Sequence, residues 1–309
     1  MNTSTEKPRL ALVLGGGGSK GALQVGLFQA MCQLGLRPDL IVGASVGAIN
    51  GAFMATGVGP KILAQGWSAL RREDLFSFNW RLLWRGASAQ SILSARPLRE
   101  LLERSLPKAR FEALPVPLAL VTTHLSTGEA CVWERGDLID AIIASSAIPG
   151  LLPPVEGHDG VRHVDGSLAD NVPIEVALER GATHAIVMNC RTCDRCRRES
   201  VGLTDILGQA FSIAADCKLR GLESHGNHGE EVLLLQPEMG EHIRALDFSQ
   251  GKRLVRAGYE HSLPRLRAWL ESQPLKPGRR SRGSRGSGGR ASESGRAGTE
   301  TARRRLTGS

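Results

Sequence analysis

Long hydrophobic runs are missing from the start of this 309-residue sequence. Met1 to Lys7 is polar, and the apolar run from Leu10 to Leu14 is too short for the core of a secretion signal or for a membrane span. Six cysteines without a secretory signal argue against a disulfide-stapled scaffold. A cytoplasmic protein is expected, one that can visit a membrane surface as a peripheral protein. A charged body is missing too. Residues 276–309 hold ten basic and two acidic residues, which is the whole net charge of +8, and residues 1–275 are formally neutral. With no basic stripe on the body, nucleic acid is not an expected partner. The tail is built almost wholly of Gly, Ser, Arg, Ala and Thr and has no aromatic residue, so it cannot bury enough surface to fold. It reads as a flexible solubilising segment or as a polybasic arm for anionic lipid, where each basic residue adds about 1 kcal/mol. The organisation expected is a flexible start at 1–7, one folded domain at 8–275 and a disordered basic tail at 276–309. The 41% hydrophobic content is enough for a sizeable core.

What is present centres on Ile41-Val42-Gly43-Ala44-Ser45-Val46-Gly47, an apolar run ending in Gly-x-Ser-x-Gly before a small-residue helix. This is the pattern of a nucleophile elbow, a sharp strand-to-helix turn that projects the serine oxygen. Side chains at Gly43 and Gly47 would collide with the neighbouring strand and helix. In a chain with 37 glycines the motif needs its context. Upstream, the strand Leu10–Leu14 runs into Gly15-Gly16-Gly17-Gly18-Ser19-Lys20-Gly21 and a helix carrying Leu23, Leu27, Ala30, Met31 and Leu34 at helical spacing. Gly16, Gly18 and Gly21 satisfy a dinucleotide fingerprint, yet the acid expected at the end of the second strand is missing, because Gly43-Ala44-Ser45 stands there. The other use of such a loop is as a nest of backbone N–H groups for an anion, including the oxyanion formed when a serine attacks an ester. Lys20 reads equally as a support of that loop and as a solvated first-turn lysine.

Further along, residues 60–71 and 96–105 read as helices, and 117–123, 129–133, 183–189 and 232–236 as strands. Asp137 caps a helix running to Ala147, residues 163–173 form a turn-rich loop, and 249–271 is a closing helix. Alternation of strand and helix points to a layered α/β sheet. Trp67, Phe76, Phe78, Trp80 and Trp84 put five of the thirteen aromatics into one window, beside Arg81 and Arg85. That mixture fits an interfacial flap at a lipid headgroup boundary or, equally, an apolar cluster under a long loop.

Four segments together, Gly15–Gly21, Gly43–Gly47, Ala144-Ser-Ser-Ala-Ile-Pro149 and Asp165-Gly-Ser-Leu-Ala-Asp-Asn-Val-Pro173, resemble the patatin-like phospholipase family in order and spacing, over roughly residues 8–270. The resemblance implies a three-layer α/β/α fold with a mainly parallel central sheet, and makes 8–275 the catalytic domain. It implies Ser45 as nucleophile, Asp165 as its side-chain partner and the loop of Gly16, Gly17 and Gly18 as oxyanion hole. Lys20, Gly21, Gly43, Gly47 and Gly166 hold supporting positions. The implied substrates are acyl esters of phospholipids or lysophospholipids, with no cofactor. Ser167 departs from the Gly or Ala usual after Asp-Gly. For a dyad to work, burial must raise the pKa of Asp165 so that it can take the Ser45 proton. A Ser-His-Asp esterase is the competing arrangement, with His184, His225, His228, His242 or His261 as base and His163 out of order. Asp170 is read as a turn or capping residue.

Outside that resemblance, Cys190, Cys193 and Cys196 lie at zinc-ligand spacing, with Cys217 or His225 available as a fourth ligand. The neighbouring Arg191, Arg195, Arg197 and Arg198 would lower the thiol pKa values, and inert loop cysteines are the plain alternative. Against the hydrolase stands a non-catalytic or regulatory α/β module that binds lipid or nucleotide through the glycine loop and the tail.

Overall fold

The computed structural model describes residues 9–190 except 82, 83, 85–88 and 159, then 202, 206, 210, 213 and 214, 231–239 and 243–272. In chain order its elements are β1 (Leu10–Leu14), α1 (Ala22–Gln33), β2 (Leu40–Ala44), α2 (Val46–Ala55), α3 (Pro60–Ala69), β3 (Ser77–Phe78), β4 (Leu93–Ser94) and α4 (Arg96–Ser105). Then follow β5 (Leu118–His124), β6 (Ala130–Trp133), α5 (Leu138–Ser145), β7 (Val155–Glu156), β8 (Arg162–Asp165), α6 (Ser167–Asp170), α7 (Ile174–Glu179), β9 (His184–Met188), β10 (Val232–Leu235) and α8 (Gly251–Ser272). The basic tail lies outside the described residues.

Strands β1, β2 and β9 are almost wholly apolar, His184 at the start of β9 being the exception, and buried at every position, as strands covered on both faces must be. Along β1, Leu10, Leu12 and Leu14 enter the larger core with α1, α2, α3, α5 and α8, while Ala11 and Val13 enter a smaller one with α7. Each fully buried leucine contributes about 2 kcal/mol over an exposed one. The result is the three-layer α/β/α arrangement. Its main sheet runs β10-β9-β1-β2-β5-β8-β7, with β6 also on β5. Pairs from β10 through β5 are parallel, and those made by β6, β7 and β8 are antiparallel.

That mixed side of the sheet shapes the site. Strand β5 pairs with β6 over Leu120–Thr123. It pairs with β2 over Leu118–Val121 and with β8 over Thr122–His124. Since β6 overlaps both, β2 and β8 must share the opposite edge of β5, meeting head to head. Ala44 is opposite Val121 and Asp165 is opposite the next residue, Thr122. The turn-rich loop expected over 163–173 is therefore corrected at its start. Arg162–Asp165 is a strand because His163 and Val164 find partners on β5.

Helix ends follow the expected chemistry. Pro60 opens α3, and the Asp137 carboxylate accepts the Asp140 N–H at the start of α5. The aromatic window divides. Trp67 is buried in α3 and donates its indole N–H to Asn50 Oδ1 at 2.9 Å, so it belongs to the core. Phe78, Trp80 and Trp84 are exposed.

Candidate active site

Strand β2 ends at Ala44, and the chain turns into α2 through Ser45, whose φ of 55° and ψ of −124° make it the one non-glycine residue with positive φ among the described residues. A non-glycine residue held there is strained by about 1–3 kcal/mol and persists only where its surroundings enforce it. The enforcement is visible. Gly47 lies so close to β1 that a Cβ would sit 2.0 Å from the Leu14 carbonyl oxygen, and a Cβ on Gly43 would sit 2.5 Å from the Gly47 oxygen. Ser45 N–H, turned out of the ladder, donates to Ser145 Oγ at 3.0 Å, and Ser145 Oγ donates to the Val121 carbonyl at 2.6 Å. Ser145 thus fills the place where β2 would have continued along β5.

The strained turn presents the Ser45 hydroxyl to the end of β8, where it donates to Asp165 Oδ2 at 2.7 Å. Asp165 is fully buried. Its Oδ1 accepts the Ser167 N–H at 2.9 Å, its backbone N–H bonds the Ala147 carbonyl at 2.9 Å, and Thr123 Oγ1 donates to its carbonyl at 2.8 Å. Burial pushes its carboxyl up from 3.8 to about 6, against the opposing hydrogen bonds from Ser45 and Ser167. The Ser167 hydroxyl lies near enough to weigh on the carboxylate without completing a hydrogen bond of its own.

That shift has a stability consequence. Between pH 3.8 and about 6 the folded state holds a proton that the unfolded chain has released, so stability falls as pH rises through this window. Across it, wild-type stability relative to Asp165→Asn is expected to drop by roughly 3 kcal/mol. Thermal melts of both proteins at pH 4 to 7 check this; parallel curves would contradict it.

The glycine loop lies beside the pair. Gly16 is in contact with both Ser45 and Ser167, and a Cβ there would be 3.2 Å from Ser45 Cβ and 2.2 Å from Ser167 Oγ. Its N–H is committed to Asn171 Oδ1 at 2.9 Å, and the Gly15 N–H to the Met188 carbonyl. Among the described residues, the N–H groups of Gly17 and Gly18 make no hydrogen bond, and Gly18 takes a φ of 59°. Of the three glycines expected to face an oxyanion, Gly17 and Gly18 keep their donors free, while Gly16 is tied to the loop's own support. Lys20 is buried at the foot of the loop, which removes the solvated alternative. Behind it, Gln24 Nε2 bonds the Gly15 carbonyl at 2.6 Å, and Asn50 bonds both Gln24 Oε1 and the Gly21 carbonyl. A chain of amides from Trp67 through Asn50 and Gln24 thereby braces the loop.

Ser145, Asn171, Gln24 and Asn50 carry this scaffold and went unassigned in the sequence. Ser145 and Asn171 did stand inside two of the four linked motifs, which was the signal that could have found them. The histidine alternatives fare poorly. His163 Nδ1 contacts Thr122 Oγ1 at 3.0 Å, and His184 Nδ1 contacts Thr183 Oγ1 at 2.9 Å. His261 lies on α8, while His225, His228 and His242 are outside the described residues. Among the described residues the Ser45 hydroxyl bonds Asp165 alone. Asp170 ends α6.

Among the described residues, no group of three His, Cys, Asp or Glu side chains could hold a metal ion. Cys190 is buried beside Gly17, and burial pushes its thiol up to about 12, which corrects the expectation of a lowered value at this cysteine. Cys193, Cys196 and Cys217 lie outside the described residues. Also among those residues, no helix is long and apolar enough to cross a membrane.

The model of the patatin-like phospholipase family matches residues 12–178, more than half of the chain, from β1 through both glycine motifs, Ser45 and Asp165 to α7. Patatin-like phospholipase domain-containing protein 7 of Rattus norvegicus is 27% identical over 292 residues, covering 86% of this chain and 21% of its own length. An uncharacterized NTE family protein of Mycobacterium tuberculosis is 35% identical over 170 residues, covering 55% of this chain and 46% of its own. Neuropathy target esterase sws of Drosophila melanogaster is 28% identical over 191 residues, covering 60% and 13%. The chain thus spans less than half the length of these relatives. Among solved structures, VipD from Legionella pneumophila aligns with a TM-score of 0.49 at 15% identity, covering 85% of this chain and 67% of that one. Strained serine, buried aspartate and glycine loop all fall inside the matched segment, and the chain belongs to the patatin-like phospholipase family.

Proposed function

We propose that the protein is a serine acyl hydrolase that cleaves acyl esters of phospholipids or lysophospholipids. The observation that carries this reading is the 2.7 Å hydrogen bond from the strained Ser45 to the buried Asp165. In the first half-reaction Ser45 Oγ attacks the ester carbonyl while Asp165 accepts its proton. The tetrahedral oxyanion is held by the N–H groups of Gly17 and Gly18, with Gly16 and Asn171 fixing the loop in place. Collapse breaks the bond to the leaving oxygen, which takes the proton back from Asp165 and departs as the alcohol or lysophospholipid. In the second half a water gives its proton to Asp165 and attacks the acyl-serine. Fatty acid leaves and the proton returns to Ser45. This scheme needs no metal or cofactor.

Support for the substrate class comes from the family and from relatives named as phospholipase domain proteins and esterase. The acting unit in this reading is residues 8–275, with 276–309 as an appended basic tail, working as a peripheral protein on the cytoplasmic side of a membrane. The test is incubation with a panel of phospholipids, lysophospholipids and neutral esters, with products read by mass spectrometry. Release of free fatty acid by wild type and not by Ser45→Ala is expected. Equal release by both proteins, or none by wild type from any lipid, would remove the proposal.

A further inference from the structure

The chemistry above has to reach a substrate that is itself part of a surface, and one face of the molecule has the make-up for that contact. Phe78, Trp80 and Trp84 are 41%, 69% and 90% exposed. Aromatics are scarce in this chain, and three of its thirteen stand out in solvent within seven residues. Phe78 and Trp80 meet edge to face at 5.1 Å between ring centroids, so they present one apolar ridge rather than scattered side chains. A groove of about 430 Å³ runs along it, lined by Phe78, Trp80, Arg81, Arg96 and Pro153 among others. Residues 75–96 hold Arg81, Arg85 and Arg96 and no acidic residue, and Arg96 is paired with Glu100 at 2.8 Å. Tryptophan beside arginine is the composition that settles at a headgroup boundary, the ring at the acyl edge and the guanidinium among phosphates.

The ridge is also fastened to the site. The short β3–β4 ribbon carries Phe78, and Asn79 N–H bonds the Ile92 carbonyl while its side-chain amide bonds Ser91. Ile92 and Leu93 in turn donate to the carbonyls of Gly150 and Leu151. Those residues continue the segment in which Ser145 supports the Ser45 peptide and Ala147 binds the Asp165 N–H. Anything seated on the ridge is therefore held on the chain segment that frames the Ser45–Asp165 pair.

We infer that the ridge of Phe78 and Trp80 with Arg81, together with the exposed Trp84 that follows it in the chain, is the surface by which this protein docks on an anionic phospholipid bilayer. The inference rests on the lipid-hydrolase reading and adds to it the docking face and the lipid charge. The Arg81 guanidinium beside the exposed rings favours an anionic surface, and planar rings on a short ribbon suit shallow insertion at the interface.

The test uses the full chain carrying Ser45→Ala, so that no turnover alters the vesicles, with and without Trp80→Ala and Trp84→Ala. Binding is read by co-sedimentation with vesicles of phosphatidylcholine alone or mixed with phosphatidylglycerol, and by quenching of tryptophan fluorescence with brominated acyl chains. The basic tail is common to both proteins and cancels from the comparison. The parent should bind the phosphatidylglycerol vesicles with quenching, and the double substitution should weaken binding about tenfold and remove most of the quenching. Arg81→Glu should weaken binding to the anionic vesicles selectively. Equal binding by parent and double variant, equal binding to both vesicle types, or a stable dimer in solution that shields the tryptophans would each overturn the inference. Wild type assayed on a dissolved short-chain ester separates the two claims. Hydrolysis there with ridge-independent binding leaves the enzyme reading standing and removes the docking face. Ridge-dependent binding without any ester hydrolysis does the reverse.

Discussion

Asp165→Asn is expected to lower kcat by roughly a thousandfold or more while leaving KM within a few-fold, because it removes the acceptor for the Ser45 proton without altering side-chain volume. Among the described residues the carboxylate is the one partner of the Ser45 hydroxyl, at 2.7 Å, and no described histidine bonds either residue. An amide in that place can still accept the Ser167 N–H, so the loop should remain in position. The wild-type profile carries the same signature. With the carboxyl at about 6, kcat/KM should fall about tenfold per pH unit below that value, as protonation removes the base. His163→Ala is the matched control, since His163 packs edge-on against Trp133 and contacts Thr122. It should keep activity within several-fold. Steady-state kinetics of both variants between pH 5 and 9 would decide. Activity retained in Asp165→Asn and lost in His163→Ala would move the base to the imidazole.

Gly47→Ala should be among the most disruptive single methyls at the described glycines. The new Cβ would lie 2.0 Å from the Leu14 carbonyl oxygen and 2.6 Å from its carbon, and both are backbone atoms of a central buried strand. Neither can rotate away, so β1 and α2 must separate, at a cost of about 3 kcal/mol or more. In a chain of this size that corresponds to a fall of about 10 °C in Tm. The glycine loop leaves β1 at Leu14, so the displacement also reaches Gly16 and Ser45, and activity should fall further than stability alone explains. Gly66→Ala in α3 is the control. Nothing lies within 4 Å of that position, and alanine in place of glycine inside a helix should be neutral or raise stability by up to about 1 kcal/mol. Differential scanning calorimetry separates them, and similar melting of Gly47→Ala and wild type would refute the close-packing account of the elbow.

Much of this architecture could be read from local pattern. The buried strands are aliphatic runs, α4 falls at 96–105 as expected, Asp137 is an N-cap, and the elbow announces itself by two glycines at fixed offsets. Local pattern is informative there because each signal is complete within a few residues. Other features depend on partners far away in the chain. Strand β8 is four residues long and starts beyond a turn; only its pairing with β5, some forty residues earlier, makes it a strand. Gln24 and Asn50 look like helix surface polars until Gly15, Gly21 and Trp67 close over them. Trp67 stands close to Trp80 and Trp84 along the chain, yet its hydrogen bond to Asn50 takes it into the core. The division of labour within the glycine loop was equally invisible, because which N–H remains free depends on Asn171, 155 residues away from Gly16.

Covalent capture tests directly whether Ser45 is a nucleophile activated by its buried aspartate. Wild type, Ser45→Ala and Asp165→Asn would be exposed to a fluorophosphonate probe at pH 8, and the labelled peptide located by mass spectrometry. A single adduct on Ser45 is expected in wild type, none in Ser45→Ala, and labelling slowed by orders of magnitude in Asp165→Asn. Unreactive wild type, or label carried by another serine, would contradict it.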